Sequence, residues 1–214
     1  MIYTHCIWDF NGTILDDVDL GIYCVNILLR ERGLGEIPSK EIYRKKFDFP
    51  VIDYYKAVGF DFSSEPYEKV ANEWVALYKN NVSMSHLCDG VLEVLEYFKE
   101  KGIEQNIISA SEKQMLTDHL SKLGVDSYFC QVFGIDNIYA NSKLSLAKLW
   151  KEKHPDARPL FIGDTVHDIE TAQLLGADCF VVCSGHQCRE RFEGFGVKIF
   201  DDFYELLNYL KETL

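Results

Sequence analysis

The 214-residue chain has no apolar stretch approaching about 20 residues, the length a helix needs to cross a bilayer, which excludes a helical membrane span. It is also short of basic residues. Against 34 Asp and Glu stand 22 Lys and Arg, a net charge of −12. That balance argues against a nucleic-acid backbone or an anionic membrane surface as partner. An anionic small substrate stays compatible, provided local cations or a metal ion hold it. Paired cysteine spacing is missing too. Cys6, Cys24, Cys88, Cys130, Cys179, Cys183 and Cys188 are odd in number and scattered through apolar surroundings. A disulfide framework is excluded on that count, and buried thiols in a reducing compartment are expected. Met1 leads almost at once into an apolar run, with no secretion leader, so a soluble cytoplasmic protein is expected. Neither an internal repeat nor a low-complexity segment appears.

What is present is ordinary for a globular protein: 47% hydrophobic and 26% charged residues, enough for one domain or a domain carrying an insertion. Ile2 to Trp8 reads as a buried strand. The next seventy or so residues read as helical, with Leu20, Tyr23, Cys24, Ile27 and Leu28 at helical spacing and Gly33 as a stop. Ser39 is a candidate cap for a second helix. Another starts near Pro66, with Val70, Trp74, Leu77 and Tyr78 on one face. The aromatic run "FDFPVIDYYKAVGFDF" reads as packing between short helices rather than a cavity wall.

From Asp89 helices and strands alternate. The expected helices are 90–101, 112–123, 144–153, 168–175 and 203–210. The expected strands are "IEQNIISAS", "QVFGI", "PLFIGD", "CFVVC" and "VKIF". Units of this length imply a parallel sheet covered on both faces, a three-layer Rossmann-like α/β core formed by residues 1–15 and 85–214. An all-helical insertion, residues 16–84, interrupts it after the first strand.

In such sheets sites lie beyond the carboxyl ends of the strands. Asp9 and Asn11 follow the first strand, Ser109 and Ser111 end "NIISAS", Lys143 precedes a helix, and Asp164 and Asp168 follow "PLFIG". Three carboxylates close together repel unless a cation sits among them, and oxygen ligands suit a hard ion such as Mg²⁺. Asp164 and Asp168 are one helical turn apart. Backbone N–H groups around Gly12 are candidate donors to a phosphate. A carboxylate nucleophile, a metal, a lysine and a hydroxyl describe phosphoryl transfer through an aspartyl-phosphate.

"DFNGT", "NIISAS", the lysine of "NSKLSLAK" and "GDTVHD" resemble, in order, the four motifs of the haloacid dehalogenase superfamily. The closest likeness is to its phosphoglycolate phosphatase-like branch, which carries a helical cap after the first strand. The resemblance implies that Asp9 is the phosphorylated nucleophile. It implies that Asp164 binds Mg²⁺ beside Asp9 and the main-chain carbonyl of Asn11, with Asp168 in support. Ser109 and Lys143 would hold the phosphoryl group of a small phosphorylated substrate, and the 16–84 cap would close over it.

The chain departs from this family at Asn11, where an aspartate is expected as general acid/base. An amide cannot exchange a proton near pH 7, and losing such a group costs about 10²- to 10⁴-fold. A slow phosphatase, one with another proton carrier, a substrate whose leaving group needs no proton, a phosphate-binding protein and an engineered residue all stay open. Dehalogenases, which act at carbon, also lack this acid, but they have no need of the metal pair. His167 and His186 are candidate proton carriers, although each reads as a solvated loop histidine. Cys183, His186 and Cys188 hint at zinc, yet a structural site needs four ligands, so the stretch reads as a loop near the site. Arg44, Lys45 and Lys46 read as a solvated helix face.

Overall fold

The computed structural model describes residues 3–135 and 143–214. Ile2 of the expected first strand, and Asn141 and Ser142 before the candidate lysine, lie outside them. Strand β1 (His5–Trp8) is followed by a short β2 (Leu15–Asp16) and four helices: α1 (Val18–Glu31), α2 (Lys40–Lys46), α3 (Val51–Val58) and α4 (Tyr67–Asn81). Then come β3 (His86–Leu87), α5 (Val91–Glu100), β4 (Glu104–Glu112), α6 (Lys113–Leu123) and β5 (Gln131–Ile135). The chain closes with α7 (Leu144–Lys153), β6 (Pro159–Gly163), α8 (Val166–Leu175), β7 (Asp178–Val182), β8 (Lys198–Phe200) and α9 (Phe203–Thr213).

The large sheet has the order β5-β4-β1-β6-β7-β8, and every neighbouring pair is parallel. After the half-buried His5 at its start, β1 is apolar, and alternation explains why. Cys6 and Trp8 enter one cluster with residues of α5, α6 and α9, while Ile7 enters another with residues of α7 and α8. A strand buried on both faces has no polar position to spare.

Helices α1 to α4 carry an apolar cluster of their own, in which Val25, Leu28 and Leu29 meet Tyr43, Tyr54, Tyr55 and Val70. One local feature was not legible in the sequence: β2 and β3 pair antiparallel, Leu15 with Leu87 and Asp16 with His86. This ribbon joins the two ends of the helical segment. Two residues per strand carry no periodic signal.

Helix ends also shift. α6 begins at Lys113 because β4 runs on to Glu112, α8 begins at Val166, and α9 continues to Thr213. Of the cysteines, Cys6, Cys24, Cys88 and Cys179 are buried, but Cys130 is exposed and Cys183 and Cys188 are half-buried. Among the described residues, no helix is long and apolar enough to cross a membrane.

Phe98 of α5 is fully buried and its ring centroid lies 6.0 Å from that of Trp8. Phe98→Ala should destabilise the fold by about 3 to 5 kcal/mol, transfer plus cavity cost, measured by urea denaturation.

Candidate active site

The strand order changes direction at β1, with β4 on one side and β6 on the other. Their carboxyl ends therefore deliver side chains into one crevice. Asp9 leaves β1 buried at 6% exposure, and Asp164 and Asp168 are fully buried. Ligand oxygens of these three lie within 4.8 Å of one another. Lys143, at the start of α7 and 2% exposed, donates to Asp9 Oδ1 at 2.6 Å and to Asp168 Oδ1 at 2.5 Å. The other oxygen of Asp168 accepts from the backbone N–H of Asp164 (3.1 Å) and Thr165 (2.9 Å) and from the Thr165 hydroxyl (2.7 Å). Asp168 thus caps α8 and shapes the turn that carries Asp164. Ser109 is buried where β4 loses its register with β5, as strands do at a bulge. Its oxygen accepts from Ser111 N at 3.0 Å.

Burial pushes the Asp9 carboxyl well above its ordinary range, and Asp168 adds to this while Lys143 opposes it. Burial raises Asp164 to about 6, with His186 opposing and Asp168 adding. Asp168 moves down despite burial, because Lys143 and Thr165 favour its charged form. Lys143 moves up, since Asp168 and Asp9 outweigh the burial of its ammonium group. Negative charge exceeds what one lysine balances.

The Asn11 side chain is fully engaged. Its Nδ2 donates to Asp17 Oδ2 (2.7 Å) and to the Tyr78 hydroxyl (3.1 Å), and its Oδ1 accepts from the Ser111 hydroxyl at 2.5 Å. Asp17 is the site residue that the sequence hid. It lies at the entrance to α1, where an acidic residue ordinarily reads as a helix cap. Here it is 3% exposed and also accepts from Gly12 N at 3.0 Å and from the Tyr78 hydroxyl at 2.8 Å. Gly12 N additionally donates to Leu15 O. In this structure that N–H is bonded inside the turn, to Asp17 and Leu15. What Gly12 supplies is space. With φ at +75°, a Cβ there would strike the Asp164 carboxylate and the His186 ring.

His186 is likewise not a solvated histidine. It is 7% exposed, its Nε2 lies 3.1 Å from Asp17 Oδ1, and its Nδ1 lies 2.8 Å from the Tyr43 hydroxyl. Its backbone N donates to Asp164 Oδ2 at 2.6 Å, while the Thr13 hydroxyl donates to Oδ1 at 2.9 Å. Burial works against its charge, but Asp17, Asp164 and Asp9 raise it to about 9. Asp17 moves down, since His186, Asn11 and Tyr78 outweigh its burial. His167 is buried against Phe49 at 4.9 Å and driven to about 4 by burial and Lys143. It is a neutral packing residue at neutral pH.

Arg44 belongs to no solvated face. It donates to the carbonyls of Ser184 (2.5 Å) and Gly185 (2.8 Å), fastening α2 to the loop that carries His186. That loop approaches the site, as its sequence suggested. Among the described residues, the three-aspartate cluster is the grouping able to hold a metal, and Cys183 and Cys188 take no part in it. The aromatic run serves twice. Phe47, Tyr54 and Tyr55 pack within the helical segment and also line a cavity of about 150 Å³ that reaches Asp9, Ser109 and Lys143.

A parallel α/β sheet with acidic side chains gathered at its switch point defines an enzyme of the Rossmann-like kind. Residues 6–182 match the sequence model of the haloacid dehalogenase-like hydrolases, and the chain belongs to that family. It is similar to the phosphoglycolate phosphatase of Nitrosococcus oceani, 26% identical over 186 residues covering 82% of this chain and 80% of the relative. The phosphoglycolate phosphatase of Haemophilus influenzae is 26% identical over 216 residues, 95% of this chain and 96% of that one. In three dimensions it resembles a haloacid dehalogenase-like family hydrolase from Streptococcus pneumoniae. The TM-score is 0.81 at 18% identity, over 97% of this chain and 98% of that one.

The Asp17–His186 pair yields a pH signature. A histidine raised to about 9 contributes stability that is complete below its ordinary value, near 6.5, and is lost as pH rises through about 9. The Tm of the native chain should fall between pH 6.5 and 9. Asp17→Asn should lower Tm at pH 6.5 and flatten that fall, measured by thermal denaturation across the range.

Proposed function

We propose that this chain is a Mg²⁺-dependent phosphomonoester hydrolase that works through an aspartyl-phosphate on Asp9. The observation that carries this reading is the cluster of three buried carboxylates sharing one lysine. Relatives named phosphoglycolate phosphatases along most of the chain support phosphomonoester hydrolysis as the reaction.

The donor set suits the metal. Asp9 and Asp164 are hard oxygen ligands held at raised pKa by burial and mutual repulsion, a strain that a divalent cation relieves. Asp9, Asp164 and the Asn11 carbonyl would hold the ion, with Asp168 behind them. When bound, Mg²⁺ supplies charge neutralisation for the anionic phosphoryl group.

The rest falls to side chains. Asp9 attacks phosphorus; the new carboxylate–phosphorus bond forms as the bond to the leaving alcohol oxygen breaks. Water then attacks phosphorus, the bond from the Asp9 oxygen to phosphorus breaks, the water's proton passes to solvent and phosphate departs. Lys143 and Ser109 hold the phosphoryl oxygens, and Asp168 holds Lys143 in position. Helices α1 to α4 act as the cap that excludes water. Asn11 gives no proton to the leaving alcohol, so esters of good leaving groups turn over faster than those of simple alcohols. The same residue favours a second reading, a phosphate-binding protein with little turnover.

Assay with Mg²⁺ and 4-nitrophenyl phosphate separates the two. Turnover is expected, and Asp9→Asn should reduce it to background; unchanged activity in that variant overturns the covalent route. Asn11→Asp should raise the rate on alkyl phosphates by about 10²- to 10⁴-fold if the missing acid is limiting. A native chain silent on every ester, made active by this change, favours the binding protein.

Metal binding is checked without turnover. Mg²⁺ should raise Tm at pH 8 and much less at pH 5, because protons compete for Asp9 and Asp164, whose pKa values are raised. Asp164→Ala should abolish the shift.

A further inference from the structure

Resting on the phosphatase reading above, we propose that the alcohol half of the substrate is an aromatic ring: the site takes aryl phosphates, not esters of small anionic alcohols such as glycolate. The cavity that opens from Asp9, Ser109 and Lys143 continues between the rings of Phe47, Tyr54, Tyr55, Trp74 and Tyr78. Its volume, polar floor included, is about 150 Å³. Its walls offer ring faces and edges, which suit a further ring. Trp74 and Tyr78 are already stacked at 4.9 Å.

Charge gives the same answer. Among the described residues lining this cavity, each cation has an acidic partner. Lys143 is held by Asp9 and Asp168, His186 by Asp17, and Lys79 lies 3.6 Å from Glu112. A carboxylate on the leaving half meets no unpaired cation there and approaches Asp17 and Glu112, and burying an unpaired charge is costly.

The chemistry at Asn11 agrees independently. Attack by Asp9 breaks the phosphorus–oxygen bond and releases the leaving oxygen with its electron pair. A phenol ionises near pKa 10, so a phenolate departs unprotonated and takes its proton afterwards from solvent. A simple alkoxide, with a conjugate acid nearer that of water, needs the acid that Asn11 lacks.

The test compares five compounds with the full chain and Mg²⁺: acetyl phosphate, phenyl phosphate, benzyl phosphate, ethyl phosphate and phosphoglycolate. Phenyl phosphate should exceed phosphoglycolate in kcat/KM by about 100-fold or more. Benzyl and ethyl phosphates share an alkyl leaving group, so they isolate binding. Benzyl phosphate should have a KM about 10-fold lower, the effect of burying one ring. Trp74→Ala should shrink that ratio towards one. Phosphoglycolate hydrolysed as well as phenyl phosphate, or equal KM for benzyl and ethyl phosphates, overturns the proposal. Acetyl phosphate turnover in that case leaves the phosphatase reading standing. Silence on all five compounds overturns both.

Discussion

Three carboxylates in one buried crevice repel one another, and Lys143 is the cation that makes the arrangement tolerable within the protein. It reaches Asp9 from one side and Asp168 from the other. Buried charges persist only when paired and hydrogen-bonded, so the position of α7 is tied to the ends of β1 and β6. Asp168 extends the chain of dependence by shaping the turn that carries Asp164. Charge balance remains incomplete, which leaves Asp9 and Asp164 with raised pKa values. That imbalance is the physical basis for placing a divalent cation in the proposed reaction.

A second ion pair does for the helical segment what Lys143 does for the sheet. Asp17 enters from the start of α1 and His186 from the loop after β7, and they meet beside Asn11. Other contacts reinforce this seam. Arg44 holds the carbonyls of Ser184 and Gly185, Gln187 donates to Phe47 O, and Arg191 pairs with Asp48. Asn11 sits at the junction, bonded to Asp17, Tyr78 and Ser111. An amide suits such a position because it donates and accepts at once. An ionised aspartate there would face Asp17 Oδ2 with no proton between them. The amide at position 11 is therefore also what lets Asp17 approach the turn.

Much of this was legible beforehand, for identifiable reasons. Strands buried on both faces read as apolar runs, so the parallel sheet and its strand-end residues followed from pattern alone. The four motif stretches contain local chemistry, and Asp9, Ser109, Lys143, Asp164 and Asp168 do come together at the sheet's carboxyl edge. The misreadings concern residues whose partners are distant in sequence. Asp17 drew no notice, His186 resembled a solvated loop residue and Arg44 an exposed charge, because each acquires its meaning from a contact roughly 140 to 170 positions away. The Gly12 N–H, among the groups read as donors around that turn, is bonded to Asp17 five residues away.

The sequence by itself determined the α/β alternation, the helical segment after β1, the family and the absence of a proton-bearing side chain at position 11. Those properties depend on local periodicity and on residue identity, which survive without coordinates. Only the tertiary structure decided that Asp17 and His186 form a buried pair. Only it decided that the aromatic run lines a cavity above Asp9 and that the cations along that cavity are already paired. Such facts arise from packing between segments far apart in the chain, where burial turns exposed-looking charges into obligatory partners.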